Sequence, residues 1–219
     1  ILTVVDSVAA MGGEDIRVDE WEIDIALGAS QKCVSAPAGL TFLSISEDAF
    51  KLMQQRKKPI ASYYCNLLLW KDYYENKWFP YTPPISDIVG LRQAIDNILE
   101  DKEIILRHNS IGKATREAVM EAGLNLYIEE GYSNTVTVIQ IPEGINDKEL
   151  LKHMVDEFNV FIAGSFGYLQ GKVIRIGHMG ENAKKDKVAY TLLALQYSLK
   201  ALGFECKKNM AEVFLMKYN

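Results

Sequence analysis

Cysteine is scarce in this chain: of 219 residues only Cys33, Cys65 and Cys206 carry a thiol. An odd, widely spaced set fits reduced thiols rather than a disulfide framework. Positive charge is not in excess either, with 24 Lys and Arg against 29 Asp and Glu and a net charge of −5. A nucleic-acid footprint needs a basic face. The densest basic run, Arg56-Lys57-Lys58, is short and stops at Pro59, so it reads as a solvated loop. No apolar run reaches the roughly 18 residues that a spanning helix requires. The first residues also lack the arrangement of charge and apolar core that marks a signal peptide. His108, His153 and His178 are too dispersed to hold a metal, and the acidic stretch from Glu14 to Asp24 lacks the spacing and glycine of a calcium loop. It reads as a solvated loop. Neither an internal repeat nor a low-complexity segment is present. What remains is an ordinary globular composition, 48% apolar and 24% charged, with a cytoplasmic setting and no nucleic-acid or membrane partner as the expectation.

The apolar pattern divides the chain in two. Residues 2–5, 23–27 and 40–44 are continuous apolar runs, as in strands covered on both faces, and Ser46-Glu47-Asp48 opens a helix after the third. Such strands need crossovers, so the first half reads as part of an open, mostly parallel α/β sheet whose ligand lies at the carboxyl ends of its strands. A helix is predicted over 62–75 and an irregular segment over 78–84, because two prolines follow Thr82. Ser86 is the predicted cap of a long helix carrying Ile88, Leu91, Ile95, Ile98 and Leu99, with a pattern that runs on toward Ile105. The domain boundary is placed near 101, giving domains 1–100 and 101–219. Beyond it the order is helix 109–122, strand 124–127, strand 135–140, helix 147–157, strand 160–163, strand 173–176 and helix 182–202. The strands at 160 and 173, joined through Gly164, Gly167 and Gly171, read as an antiparallel pair in a small α+β domain.

Two residues stand where a ligand of such a sheet would lie. Asp6 ends the first apolar run, and Lys32 follows the second in Gly28-Ala29-Ser30-Gln31-Lys32-Cys33. A lysine amine can condense with an aldehyde, and a carboxylate can keep a heteroaromatic nitrogen protonated; pyridoxal phosphate chemistry needs both. On residue type alone a lone lysine after a strand is usually a solvated surface charge, and Asp6 a helix cap of about 1 kcal/mol.

A wider pattern bears on that choice. The stretches Val5-Asp6-Ser7-Val8-Ala9-Ala10-Met11-Gly12-Gly13, Val18-Asp19-Glu20-Trp21-Glu22-Ile23-Asp24, Gly28 to Cys33 with Pro37-Ala38-Gly39-Leu40, Tyr81-Thr82-Pro83-Pro84-Ile85-Ser86 and Arg175-Ile176-Gly177-His178-Met179-Gly180 occur in order. Together they resemble the C-terminal part of a class V (fold type I) pyridoxal-phosphate-dependent aminotransferase, nearest the alanine–glyoxylate and serine–pyruvate branch, from residue 1 to about 205. Members of this family have a long stretch ahead of the aspartate, so the chain is expected to be a C-terminal fragment, about half an enzyme.

The resemblance implies roles residue by residue. Lys32 would carry the cofactor as a Schiff base and move the substrate α-proton. Asp6 would pair with the pyridinium nitrogen, and Val8 would lie against the ring. Gln31 and Thr82 would contact the phosphate, with Thr82 supplied by the neighbouring subunit, which implies a homodimer with the site at its interface. Where relatives often have a tyrosine three residues before this threonine, the chain has Phe79, which cannot donate. Arg175, in the apolar strand Val173 to Ile176, would grip the substrate α-carboxylate, the pairing that suits a planar guanidinium. The alternative for Arg175 is a structural ion pair. The implied activity is transfer of an amino group from alanine or serine to glyoxylate or pyruvate. Two alternatives stay open: a non-catalytic fragment, and a lyase or cysteine desulfurase using the same cofactor.

Overall fold

The computed structural model describes residues 1–218. Strands β1 (Val4–Asp6), β2 (Ile25–Ala29) and β3 (Thr41–Ile45) form one sheet in the order β1-β2-β3. β1 and β2 are parallel, with Asp6 level with Leu27. β3 runs antiparallel to β2, with Ala29 opposite Thr41. β3 departs from the mostly parallel arrangement for a simple reason: the link over 30–40 is too short for a crossover, which takes a dozen residues or more. The expectation of two covered faces fails as well, since Val4 is 57% and Leu43 42% exposed. Helix α1 (Glu47–Gln54) follows, capped by Ser46, whose Oγ accepts from the Ala49 N–H (3.0 Å) and donates to Asp24 Oδ1 (2.8 Å).

Residues 62–75 do not form one helix. Asn66 accepts from the Leu68 N–H and starts a 3₁₀ turn at Leu67–Trp70; the backbone is left-handed at Asp72 (φ 57°); a single turn, α2 (Tyr73–Asn76), follows. The aromatic residues here pack on one another instead of along a helix stripe, with Tyr64 stacked on Tyr81 at 4.4 Å. Helix α3 (Ile85–Glu100) starts from Pro84, so Ser86 lies inside its first turn and caps nothing. The run toward Ile105 breaks at 101–103. There the Asp101 carboxylate accepts from the Glu103 N–H and pairs with Arg107 at 2.7 Å, and α4 (Ile104–Glu121) begins anew, earlier than the periodicity implies.

The remainder is built on β4 (Val136–Gln140) and β5 (Val173–Gly177), an antiparallel pair with Val138 opposite Arg175. The predicted strands on either side shrink to single bridges, Leu126 with Ile139 and Ala163 with Arg175. Hence the antiparallel relation between the 160s and β5 is real but rests on one residue pair, and β4 is the principal partner. Helices α5 (Asp147–Phe158) and α6 (Lys185–Ala201) match the sequence pattern, and α7 (Met210–Lys217) was not anticipated. Leu192, Leu195 and Leu199 of α6 and Met210 and Phe214 of α7 are fully buried with Ile111 of α4, Leu150 and Met154 of α5, and Ile139 and Ile174 of the strand pair. This is the main apolar core. No helix among the described residues is long and apolar enough to cross a membrane.

Candidate active site

Strand periodicity aims one residue in two at the core. On β5, Ile174 and Ile176 go inward, so Arg175 and Gly177 face away from the core, as Val136 does on β4. They form one wall of a cleft of about 470 Å³ together with Met179 and Glu181; Gln31, Lys32 and Ser35 form the opposite wall. Of the six predicted site residues, the structure therefore brings Lys32, Gln31 and Arg175 into one cavity across a sequence separation of more than a hundred residues.

Arg175 is half-buried and only partly engaged. Its Nε donates to the Gly164 carbonyl (2.8 Å) and its guanidinium carbon lies 5.8 Å from the Phe166 ring centre. Among the described residues neither Nη meets an acceptor, so no structural ion pair accounts for this arginine. Lys32 is half-buried, on the turn after β2, and likewise has no ion-pair or hydrogen-bond partner for its amine among the described residues. A cation with unused donors in a cleft is a ready anion site.

Asp6 and Val8 do not line the cleft. Asp6 ends β1 level with Leu27, on the same carboxyl edge of the sheet from which β2 leads to Lys32, so the two sit at one edge and not at opposite ones. Its Oδ1 accepts from the Val8 N–H at 3.0 Å, the cap-like bond of the bland alternative. Ser7 ties the edge together, its Oγ donating to the Leu27 carbonyl at 2.7 Å. Thr82 lies exposed on the aromatic segment outside the cleft.

Several residues that sequence reasoning set aside are packed behind the two walls, and one of them, Glu14, crosses between the regions. Cys33 is buried, donates to the Ala9 carbonyl (3.2 Å), and burial pushes its thiol up to about 11, so it is an inert packing residue. His108 Nδ1 donates to the Ile104 carbonyl (2.7 Å), which leaves Nε2 to accept from the Gly180 N–H (2.9 Å). Burial lowers the pKa of His108, so the neutral form that this pairing needs is favoured. His178 is fully buried, its Nε2 2.9 Å from Thr137 Oγ1, and burial pulls it down to about 3. Gly180 has φ +52° and packs so closely that a Cβ would lie 2.1 Å from Ser35 Oγ, a place only glycine can fill. The acidic stretch is not uniform: Arg17 pairs with Asp15 and Glu20 in solvent, but Glu14 turns inward to Ser133 and Asn134. No cluster of metal-binding type occurs among the described residues.

With this geometry in place, comparison with known proteins gives a consistent answer. The class-V aminotransferase family matches residues 1–188, and the chain belongs to that family. It is 38% identical over 216 residues to an aminotransferase of Methanocaldococcus jannaschii, covering 97% of this chain and 56% of that protein. It is 36% identical over 207 residues to the serine–glyoxylate aminotransferase of Arabidopsis thaliana, covering 93% of this chain and 51% of the plant protein. Among solved structures, the pyridoxamine–pyruvate aminotransferase of Mesorhizobium loti superposes with a TM-score of 0.92 at 30% identity, over 99% of this chain and 57% of that one. The chain thus spans about half the length of the relatives it matches.

Proposed function

We propose that the protein is a pyridoxal-phosphate-dependent transaminase that moves an amino group from a small amino acid, alanine or serine, to glyoxylate or pyruvate. The observation that carries this is the pairing of an unpartnered amine, Lys32, with an under-used guanidinium, Arg175, in one cleft beside the sheet edge that ends in Asp6. Relatives named as serine–glyoxylate and alanine–glyoxylate aminotransferases support the substrate class.

The residues present fit the cofactor. When bound, pyridoxal phosphate supplies an electron-withdrawing ring that acidifies the α-C–H of an attached amino acid. Lys32 Nζ would anchor the cofactor carbonyl carbon and, once displaced, carry the proton taken from the substrate α-carbon. The Asp6 carboxylate would hold a proton on the ring nitrogen by its opposite charge. The two Arg175 Nη groups would grip the α-carboxylate as a fork and so orient the C–H toward Lys32. Gln31 would donate to the phosphate, Val8 would cover the ring, and Thr82 would reach the phosphate of a neighbouring subunit in a homodimer. The exposed Tyr73, Tyr74, Trp78 and Phe79 around Thr82 support a contact surface there. Residues 1–100 are read as the end of the large cofactor-binding domain and 101–219 as the small domain, a division supported by the helix break at 101–103. A cytoplasmic setting completes the proposal.

The purified protein is expected to show a visible absorption band that borohydride abolishes, leaving a reduced label on Lys32, and to form pyruvate from alanine and glyoxylate. A colourless protein would favour the non-catalytic reading, and pyruvate formed from an amino acid without any oxo acid acceptor would favour a lyase.

A further inference from the structure

The two walls of the cleft come from segments far apart in sequence, so something must hold Lys32 and Arg175 in register. We propose that Glu14 is the positioning residue that fastens them, an inference that rests on the roles proposed above for Lys32 and Arg175. Its Oε1 accepts two hydrogen bonds from the other wall, from Ser133 Oγ at 2.8 Å and from the Asn134 N–H. Glu14 follows the turn that leaves Asp6, where the Glu14 N–H is tied to the Ala10 carbonyl at 2.8 Å. It is therefore rigidly connected to the sheet edge of the first wall.

Its target is equally rigid. Arg116 lies with its guanidinium 3.8 Å from the Tyr132 ring centre and donates to Asn134 Oδ1 at 2.8 Å. The Asn134 amide donates to Asn109 Oδ1, and the Thr135 carbonyl accepts from the His178 N–H at 3.0 Å. Residues 133–135 lead directly into β4, whose Val138 lies opposite Arg175 on β5. A shift at 133–135 is thus passed to the arginine through a hydrogen-bonded ladder. The approach is close on this side: a Cβ on Gly13 would come within 2.7 Å of Thr135 Cγ2 and 2.9 Å of Cys33 Sγ. On the other side of the cleft the Glu181 N–H donates to Ser35 Oγ at 2.9 Å and closes the frame. Both of Glu14's bonds end on one oxygen, so an acceptor is what the contact requires, and Glu14→Gln retains one.

The test uses the complete protein and two readouts. Hydrogen–deuterium exchange at 133–135, measured without substrate, is expected to speed up about tenfold in Glu14→Ala and to stay within about twofold of the parent in Glu14→Gln. KM for the amino acid is expected to rise about tenfold in Glu14→Ala, with kcat changing less and Glu14→Gln restoring the value, because the misplaced group is the carboxylate clamp. Unchanged exchange in Glu14→Ala overturns the fastening whatever the enzyme does, and faster exchange with KM unaltered overturns its role in placing Arg175. Absence of transamination in the parent protein defeats the functional reading instead, and leaves the exchange comparison to decide the fastening.

Discussion

The two regions of the molecule treat their apolar residues in opposite ways. After residue 104, large side chains of α4, α6 and α7 converge until Ile111, Leu195 and Phe214 have no exposed surface. Before residue 101, α3 buries no residue at all, and Ile85, Val89 and Leu99 stand in solvent. The three-stranded sheet is similarly open. Only half-buried Leu91, Ala94 and Ile98 give the apolar stripe of this helix any packing, and exposed apolar surface of this extent marks a contact face. The lesson is a division of labour: the second region holds itself together, whereas the first supplies Lys32 and Asp6 and is located by what it docks against. The cleft lies on the seam because only the seam has a rigid wall on one side and the proposed cofactor lysine on the other.

The contrast breaks most easily at the core. Phe214→Ala is expected to cost about 3–5 kcal/mol in a denaturant titration, since a fully buried ring leaves a cavity. Leu43→Ser, on the open sheet, is expected to change stability by no more than about 0.5 kcal/mol. Comparable losses from the two would mean that the sheet is as well covered as the core. Next in size is Arg175→Gln, which is expected to weaken capture of the carboxylate by about 2 kcal/mol, read as a rise in KM of roughly thirtyfold. Its melting temperature should hardly move, because among the described residues the guanidinium has no ion pair to lose; a large drop would make Arg175 structural.

A pH dependence is seated in the packed region alone. His178 is held near 3 in the folded chain against an ordinary 6.5. Below 6.5 the unfolded chain therefore binds a proton that the folded chain refuses, so stability is full above 6.5 and declines as the pH falls toward 3. The slope approaches about 1.4 kcal/mol per pH unit in that window. His108, also lowered by burial, adds in the same direction. Urea melts at pH 7 and pH 5 should show the loss, and His178→Gln should reduce it; an undiminished loss in that variant would assign it elsewhere.

Local signals were readable wherever they matched one strong physical preference. Asn146 before Asp147 gives the cap of α5, with Oδ1 accepting from Lys148 and Glu149 N–H, and the period-two pattern around Arg175 gives β5 with the arginine turned from the core. The run over 62–75 misled because its aromatic residues satisfy one another and Asp72 takes a left-handed conformation that no periodicity announces. Ser86 misled because the preceding proline starts the helix first. Glu14 was hidden among acidic neighbours that are solvated, and its partners lie 119 and 120 residues away.

The amino-acid order on its own determined the family and the apolar strands, and it singled out the side chains proposed to react, since these depend on residue type and short spacing. Only the tertiary structure decided the direction of β3, the seam between the regions and the meeting of Lys32 with Arg175. Those follow from chain closure and from contacts between distant segments, whose free energy belongs to pairs of residues that no local window contains.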